Sequence, residues 1–340
     1  MKKALVFILA TVLIVSLGAC AQQATPAPAA PAAPAAPAAP AAPAAPAGDE
    51  ALHIGISMPM MDAWQSILGH AAEAQADAMG VGHTLLEANN DIATQESHVQ
   101  SFMVQQMDGL VIRLVDAGTG ALMLEHTGEK PVVFAGRLPD EALNRPGVVH
   151  FVGVEESEAG RHQGQWVANY WRENFPGVYE IDYMMFLGRL GHPGTIYRTL
   201  GFQWEMEEQG FTLNAVFEQT ANFDRGEAMD MMQAFLGTGI NFDLVISNND
   251  EMAIGAIEAM RLFDANMVGT VPVLGVDATP GGVNSILAGE MSMSAFQDAE
   301  AIGATAAEKA ILLARGEIPA SHTFIPFQSV TIDNATNFPH

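Results

Sequence analysis

From about residue 51 onward, short apolar runs alternate with amphipathic stretches along nearly the whole chain, and this rhythm limits the fold more than any other feature. Residues 52–58, 83–88, 110–114, 132–134, 148–152, 182–186, 211–217, 244–246 and 271–276 read as strands. Helical spacing falls between most of them, at 62–79, 94–107, 157–171, 196–208, 226–236 and 251–263. Continuous apolar strands separated by amphipathic helices are the signature of parallel sheets covered on both faces. Right-handed crossovers then wind such units into doubly wound α/β layers. Some 290 residues are enough for two lobes with separate cores.

The first fifty residues have a different character. Lys2 and Lys3 precede an apolar run, 4–17, that is short for a permanent membrane span. The run ends in Leu17-Gly18-Ala19-Cys20, small residues before a cysteine, which resembles the lipobox of bacterial lipoproteins. The expectation is a signal peptide over 1–19 and lipidation at Cys20, anchoring the protein to a membrane at the cell envelope. Cys20 is the only cysteine, so the chain has no intramolecular disulfide to form. Residues 24–48 repeat Pro-Ala-Ala without charge or hydrophobic periodicity. Such a segment cannot bury a core and favours an extended stalk, reaching on the order of 75 Å at about 3.1 Å per residue.

Charge narrows the partners. With 14 Lys+Arg against 39 Asp+Glu, the chain carries a formal charge of −25. Nucleic-acid binding requires a basic footprint and is not expected. No metal-ligand spacing, nucleophile elbow or phosphate loop is present in the sequence, so no cofactor, metal or catalytic residue is expected.

In open α/β sheets ligands bind beyond the carboxyl ends of the strands. The residues that follow strands are therefore the candidates: Asp62 with Trp64, Asn89-Asn90-Asp91, Arg113 and Asp116, His192 and Arg198, Phe223, Asn248-Asn249-Asp250, and Asp277. Each has a plainer structural reading. Asp62 and Asp224 suit helix N-caps. Trp64 and Phe223 could be core. Arg113 could pair with Asp116, and Asn249 and Asp277 could form turns.

Several segments, in this order, resemble the periplasmic galactose/glucose-binding proteins of the type I sugar-binding family. They are Phe151-Val152-Gly153 leading to Glu158-Ala159-Gly160, Gly191-His192-Pro193 with Arg198, Ser247-Asn248-Asn249-Asp250, and Gly275-Val276-Asp277-Ala278. The resemblance implies two Rossmann-like lobes joined by three crossing strands, near 134–136, 297–298 and 325–326. The N-terminal lobe would comprise 51–134 and 298–325, the C-terminal lobe 135–297 and 326–340, after a linker over 20–50. It implies a clamp that captures a monosaccharide, such as glucose or galactose, and delivers it to an ABC permease and its ATPase. The alternative is a sensor that presents its closed form to a chemoreceptor or histidine kinase. By the same resemblance Asp62, Trp64, Arg113, His192, Arg198, Phe223, Asn249, Asp277 and Gln297 bind the ligand. Trp64 and Phe223 would sandwich the ring, while paired polar groups hold adjacent hydroxyls. Arg113 stands where these proteins have asparagine, Gly194 where they have aspartate, Phe223 where they have tryptophan and Gln297 where they have asparagine. The family's calcium loop has no counterpart at 174–178. These departures point to a specificity different from plain glucose or galactose, with Arg113 favouring a ligand that accepts hydrogen bonds.

Overall fold

The computed structural model describes residues 52–137, 145–317 and 319–339. The expected signal peptide, the lipidated Cys20 and the Pro-Ala stalk lie outside the described residues. The elements in the first half are β1 (His53–Met58), α1 (Ala63–Ala78), β2 (Gly82–Glu87), α2 (Ile92–Val104), β3 (Gly109–Ile112), α3 (Gly120–Thr127), β4 (Val132–Ala135), β5 (Val149–Gly153) and α4 (Glu156–Asn174). The rest are β6 (Glu180–Leu187), α5 (Pro193–Glu208), β7 (Thr212–Thr220), α6 (Arg225–Leu236), β8 (Leu244–Ser247), α7 (Asp250–Phe263), β9 (Val273–Asp277), α8 (Pro280–Leu287), β10 (Met293–Phe296), α9 (Ala299–Ala314), β11 (His322–Phe324) and β12 (Gln328–Thr331).

Two sheets result, ordered β2-β1-β3-β4-β5-β11 and β7-β6-β8-β9-β10-β12. Every pairing in the first sheet is parallel. In the second, β12 alone runs antiparallel, against β10. Both lobes repeat the doubly wound 2-1-3-4-5 order, which reverses between β1 and β3 and again between β6 and β8. The apolar runs supply the reason: β3, β4, β5 and β8 are buried at every position, because helices cover both faces of each sheet. One apolar cluster runs from Leu68 and Ala306 in the first lobe to Phe202 and Met206 in the second, and separate clusters fill the opposite face of each sheet.

The chain passes between sheets three times: at 154–155, between β5 and α4; at 297–298, between β10 and α9; and at 325–327, between β11 and β12. The first does not lie at 134–136. Gly136 does turn with φ +67°, but its N–H donates to Val152 O, and Val132 pairs with Val149. Residues 145–153 therefore belong to the N-terminal lobe rather than to the C-terminal one. Sheet membership is set by which strand lies alongside, a non-local contact that the pattern of residues around 135 does not encode.

Candidate functional site

The two reversals of strand order face each other across a cleft. The residues that line it are Asp62, Trp64, Gln65, Arg113, Arg137, Arg189, His192, Arg198, Phe223, Asn249, Asp277 and Gln297, around a space of about 490 Å³. All nine residues that the family resemblance assigned to the ligand line this one cavity. Asn89, Asn90 and Asp91 do not; Asp91 instead caps α2.

Local structure aims each side chain. Asp62 is the N-cap of α1, accepting from the Gln65 backbone N–H at 2.8 Å, and its second oxygen accepts from Gln65 Nε2 at 2.8 Å. Capping and lining the cleft are thus done by the same carboxylate. Gln65 Oε1 accepts in turn from Arg113 Nε at 3.2 Å. The Arg113 guanidinium lies 4.6 Å from the centre of the Trp64 ring. It does not reach Asp116, whose carboxylate caps the Gly118 N–H instead. Trp64 Nε1 donates to the Gln297 carbonyl at 3.0 Å, at a crossing between the lobes.

In the C-terminal lobe Arg198 is the centre. It projects from α5, is almost fully buried, and donates to Glu156 at 2.7 Å, to Asp277 at 3.3 Å, to the Asn248 carbonyl at 2.7 Å and to Gln297 Oε1 at 3.2 Å. Asn249 caps α7 through Oδ1, and its Nδ2 donates to the Phe223 carbonyl at 3.3 Å. Phe223 holds a left-handed backbone, φ +64°, and meets His192 edge-on at 5.1 Å. Asp277 has φ +105° and Ala278 +44°. Non-glycine residues in this region carry strain that the surroundings must hold, commonly at binding loops.

Three lining residues escaped the sequence reading. Gln65 lies one helical turn beyond Asp62. Arg189 sits in the turn after β6. Arg137 follows β4 directly, and the rule of looking beyond strand ends would have found it had 134–136 not been assigned to a crossing. Arg137 comes from the N-terminal lobe, yet its Nη2 lies 2.8 Å from His192 Nε2 of the other lobe.

The electrostatics are those of a desolvated donor cluster. Burial lowers Arg113, with Asp62 partly offsetting it. Burial pulls Arg137 down to about 9, with Arg113 and Arg189 adding repulsion. Burial, then Arg137, Arg113, Arg198 and Arg189, hold the His192 imidazole neutral far below its ordinary range. Burial pushes the Asp277 carboxyl well up, against the opposing pull of Arg198. Arg198 is held above its ordinary value despite burial, by Glu156 and Asp277. Fixed donors and acceptors converge here beside the aromatic side chains of Trp64 and Phe223, which suits recognition of a polyol.

Comparison with known proteins agrees with this geometry. A family model described as the periplasmic binding protein domain matches residues 54–318. The putative rhizopine-binding protein of Rhizobium meliloti is 31% identical over 290 residues, covering 84% of this chain and 92% of that protein. The D-galactose/methyl-galactoside binding periplasmic protein of Haemophilus influenzae is 26% identical over 297 residues, covering 82% and 88%. An ABC transporter solute binding protein from Bacillus halodurans C-125, solved with bound myo-inositol, superposes with a TM-score of 0.77 at 30% identity, covering 86% of this chain and 98% of that one. The chain belongs to the type I sugar-binding family of periplasmic binding proteins, the solute receptors of ABC importers rather than enzymes.

Proposed function

We propose that this receptor captures a single six-membered polyol ring, a hexose or a ring of similar size and hydroxylation, between Trp64 and Phe223, and passes it to an ABC permease. The observation that carries the reading is the convergence of Asp62, Arg113, Arg198, Asn249 and Asp277 on one cavity with an aromatic from each lobe. Support for a ring of this size comes from a galactoside binder and a receptor solved with myo-inositol among its relatives, which also include ribose- and xylitol-binding proteins. Planar carboxylate, amide and guanidinium groups hold adjacent hydroxyls in pairs. In the same proposal Cys20 carries lipid, and Cys20→Ala releases the protein from the membrane fraction.

The test uses Trp64 as reporter, since among Trp64, Trp166, Trp171 and Trp204 only Trp64 lines the cleft. Glucose, galactose, myo-inositol, a pentose and a uronic acid are titrated while tryptophan fluorescence and thermal stability are followed. At 100 times its Kd a ligand stabilises by about 2.7 kcal/mol. Asp277→Ala and Asn249→Ala each leave ligand hydroxyls unpaired, at roughly 1–3 kcal/mol. Unchanged affinity in both variants would sink the assignment of this cleft.

A further inference from the structure

Resting on that reading, we infer that the captured ring carries a carboxylate, held at the corner of the cleft where Arg137 of one lobe meets His192 of the other. The argument starts with the imidazole. His192 caps α5, and its Nδ1 accepts from the Gly194 N–H at 3.0 Å. The single proton of a neutral imidazole therefore resides on Nε2. That atom faces Arg137 Nη2 at 2.8 Å, and a guanidinium has no acceptor. Two N–H donors thus point at each other. A second proton on the ring does not resolve this, because it would set Nδ1–H against the Gly194 N–H. An oxygen that accepts from both N–H groups, admitted as the side chains part from their 2.8 Å approach, satisfies both.

The neighbouring cations decide what kind of oxygen. Arg198 is matched by Glu156 and Asp277. Among the described residues, Arg113, Arg137 and Arg189 form no ion pair with any carboxylate. Arg113 donates to the Ala135 carbonyl at 3.4 Å and packs against Gly136, the residue before Arg137. Arg137 is 6% exposed, and its Nε is buried without a partner. Repulsion from Arg113 and Arg189 adds to burial in lowering the Arg137 pKa, so an anion here would relieve a stated cost. Arg137 Nη1 is taken by the Leu114 and Val115 carbonyls, and Glu155 and Glu156 border Arg137 and His192 in a neighbouring cavity, but the side chains this corner turns to the ligand cleft, Arg113, Arg137, Arg189 and His192, are donors. A carboxylate brings two acceptor oxygens and no proton, and so satisfies more of these donors than a ring hydroxyl does. The acceptors Asp62, Asp277 and Asn249 elsewhere in the cleft are left to the ring's hydroxyls. Unpaired guanidinium groups stand out in a chain whose formal charge is −25.

The experiment is calorimetric titration of the purified protein with galacturonate, glucuronate, galactose, glucose, myo-inositol and glucose 6-phosphate. Each is run in about 20 and about 200 mM NaCl, a range that spans strong to weak screening of exposed charge. The expected result is a uronate bound at least about tenfold more tightly than its neutral parent sugar, as charge-assisted bonds require. Arg137→Gln should reduce that ratio to near one while the neutral sugar still binds. Should Arg137→Gln not fold, Arg189→Gln, whose side chain among the described residues makes only a distant contact with Met60, should reduce the ratio in part. Neutral rings binding as tightly as the acids would overturn the carboxylate while leaving the proposed polyol receptor standing. Preference for glucose 6-phosphate would replace the carboxylate by a phosphate. Binding of none of the six overturns both readings.

Discussion

Asp250 accepts from the Thr279 backbone N–H at 2.8 Å with one oxygen and from Ser294 Oγ at 2.6 Å with the other. Ser294 Oγ accepts in turn from the Ala278 N–H at 2.9 Å. A fully buried carboxylate outside the cleft therefore holds two consecutive backbone N–H groups just after Asp277, where φ is +105° and then +44°. The orientation of the Asp277 carboxylate in the cleft depends on this brace. Asp250→Ala is expected to leave the Thr279 N–H and Ser294 hydroxyl unpaired, lowering stability by about 2–3 kcal/mol and weakening sugar binding. Urea unfolding and Trp64 fluorescence titration check both effects. Wild-type affinity in a destabilised variant would show that Asp277 needs no brace.

Asp250 also sets a pH dependence. Burial pushes its carboxyl up to about 7 from 3.8, against the hydrogen bonds from Ser294 and Thr279. Between those values the folded protein holds a proton that the unfolded chain has released. Stability from this group is therefore full below about pH 4 and is lost as pH rises to about 7. Asp277 shifts in the same sense. His150, lowered to about 4 by burial and then by Lys309 and His322, acts oppositely: the unfolded chain takes up a proton first as pH falls, so stability is lost on the acid side. The raw profile mixes these terms, and the informative quantity is the difference between wild type and Asp250→Asn. That difference should change steadily between about pH 4 and 7. A flat difference curve over this range would remove Asp250 as the source.

Arg198→Met should be among the most damaging substitutions in the cleft. It strands Glu156 and Asp277, both largely buried, together with Gln297 Oε1. Breaking a buried pair from one side typically costs about 3–5 kcal/mol. Denaturant midpoints measure this. Adding Glu156→Gln to the same chain should recover part of the loss by removing one stranded charge, and no recovery would point to lost packing instead.

Helices α4 and α5 approach so closely that a methyl group on Gly160 would overlap the Arg198 carbonyl, and one on Gly201 the Ser157 carbonyl. In the first lobe Gly303 has the same relation to the Leu68 carbonyl across α1 and α9. Gly160→Ala should force α4 and α5 apart, at about 1–3 kcal/mol or more, and displace the Arg198 hub. Gly303→Ala should destabilise comparably with less effect on affinity, because its contact is remote from that hub. Equal effects on binding from both would separate affinity from the placement of Arg198.

Much of this protein was legible along its chain. The alternation of buried strands with amphipathic helices specified the α/β layers, because burial on both faces demands continuous apolar strands. Polar residues just past strand ends marked Asp62, Arg113, His192 and Asp277, because a doubly wound sheet opens its crevice there. Tertiary structure alone decided the rest. It put residues 149–153 beside β4 rather than in the second lobe. It turned Arg113 away from Asp116 and towards Gln65 and Trp64. It brought Arg137 from one lobe against His192 of the other, 55 positions along the chain. Strand and helix preferences arise from neighbours a few residues away, whereas strand pairing and the partner of a buried charge depend on groups brought together only when both lobes have folded.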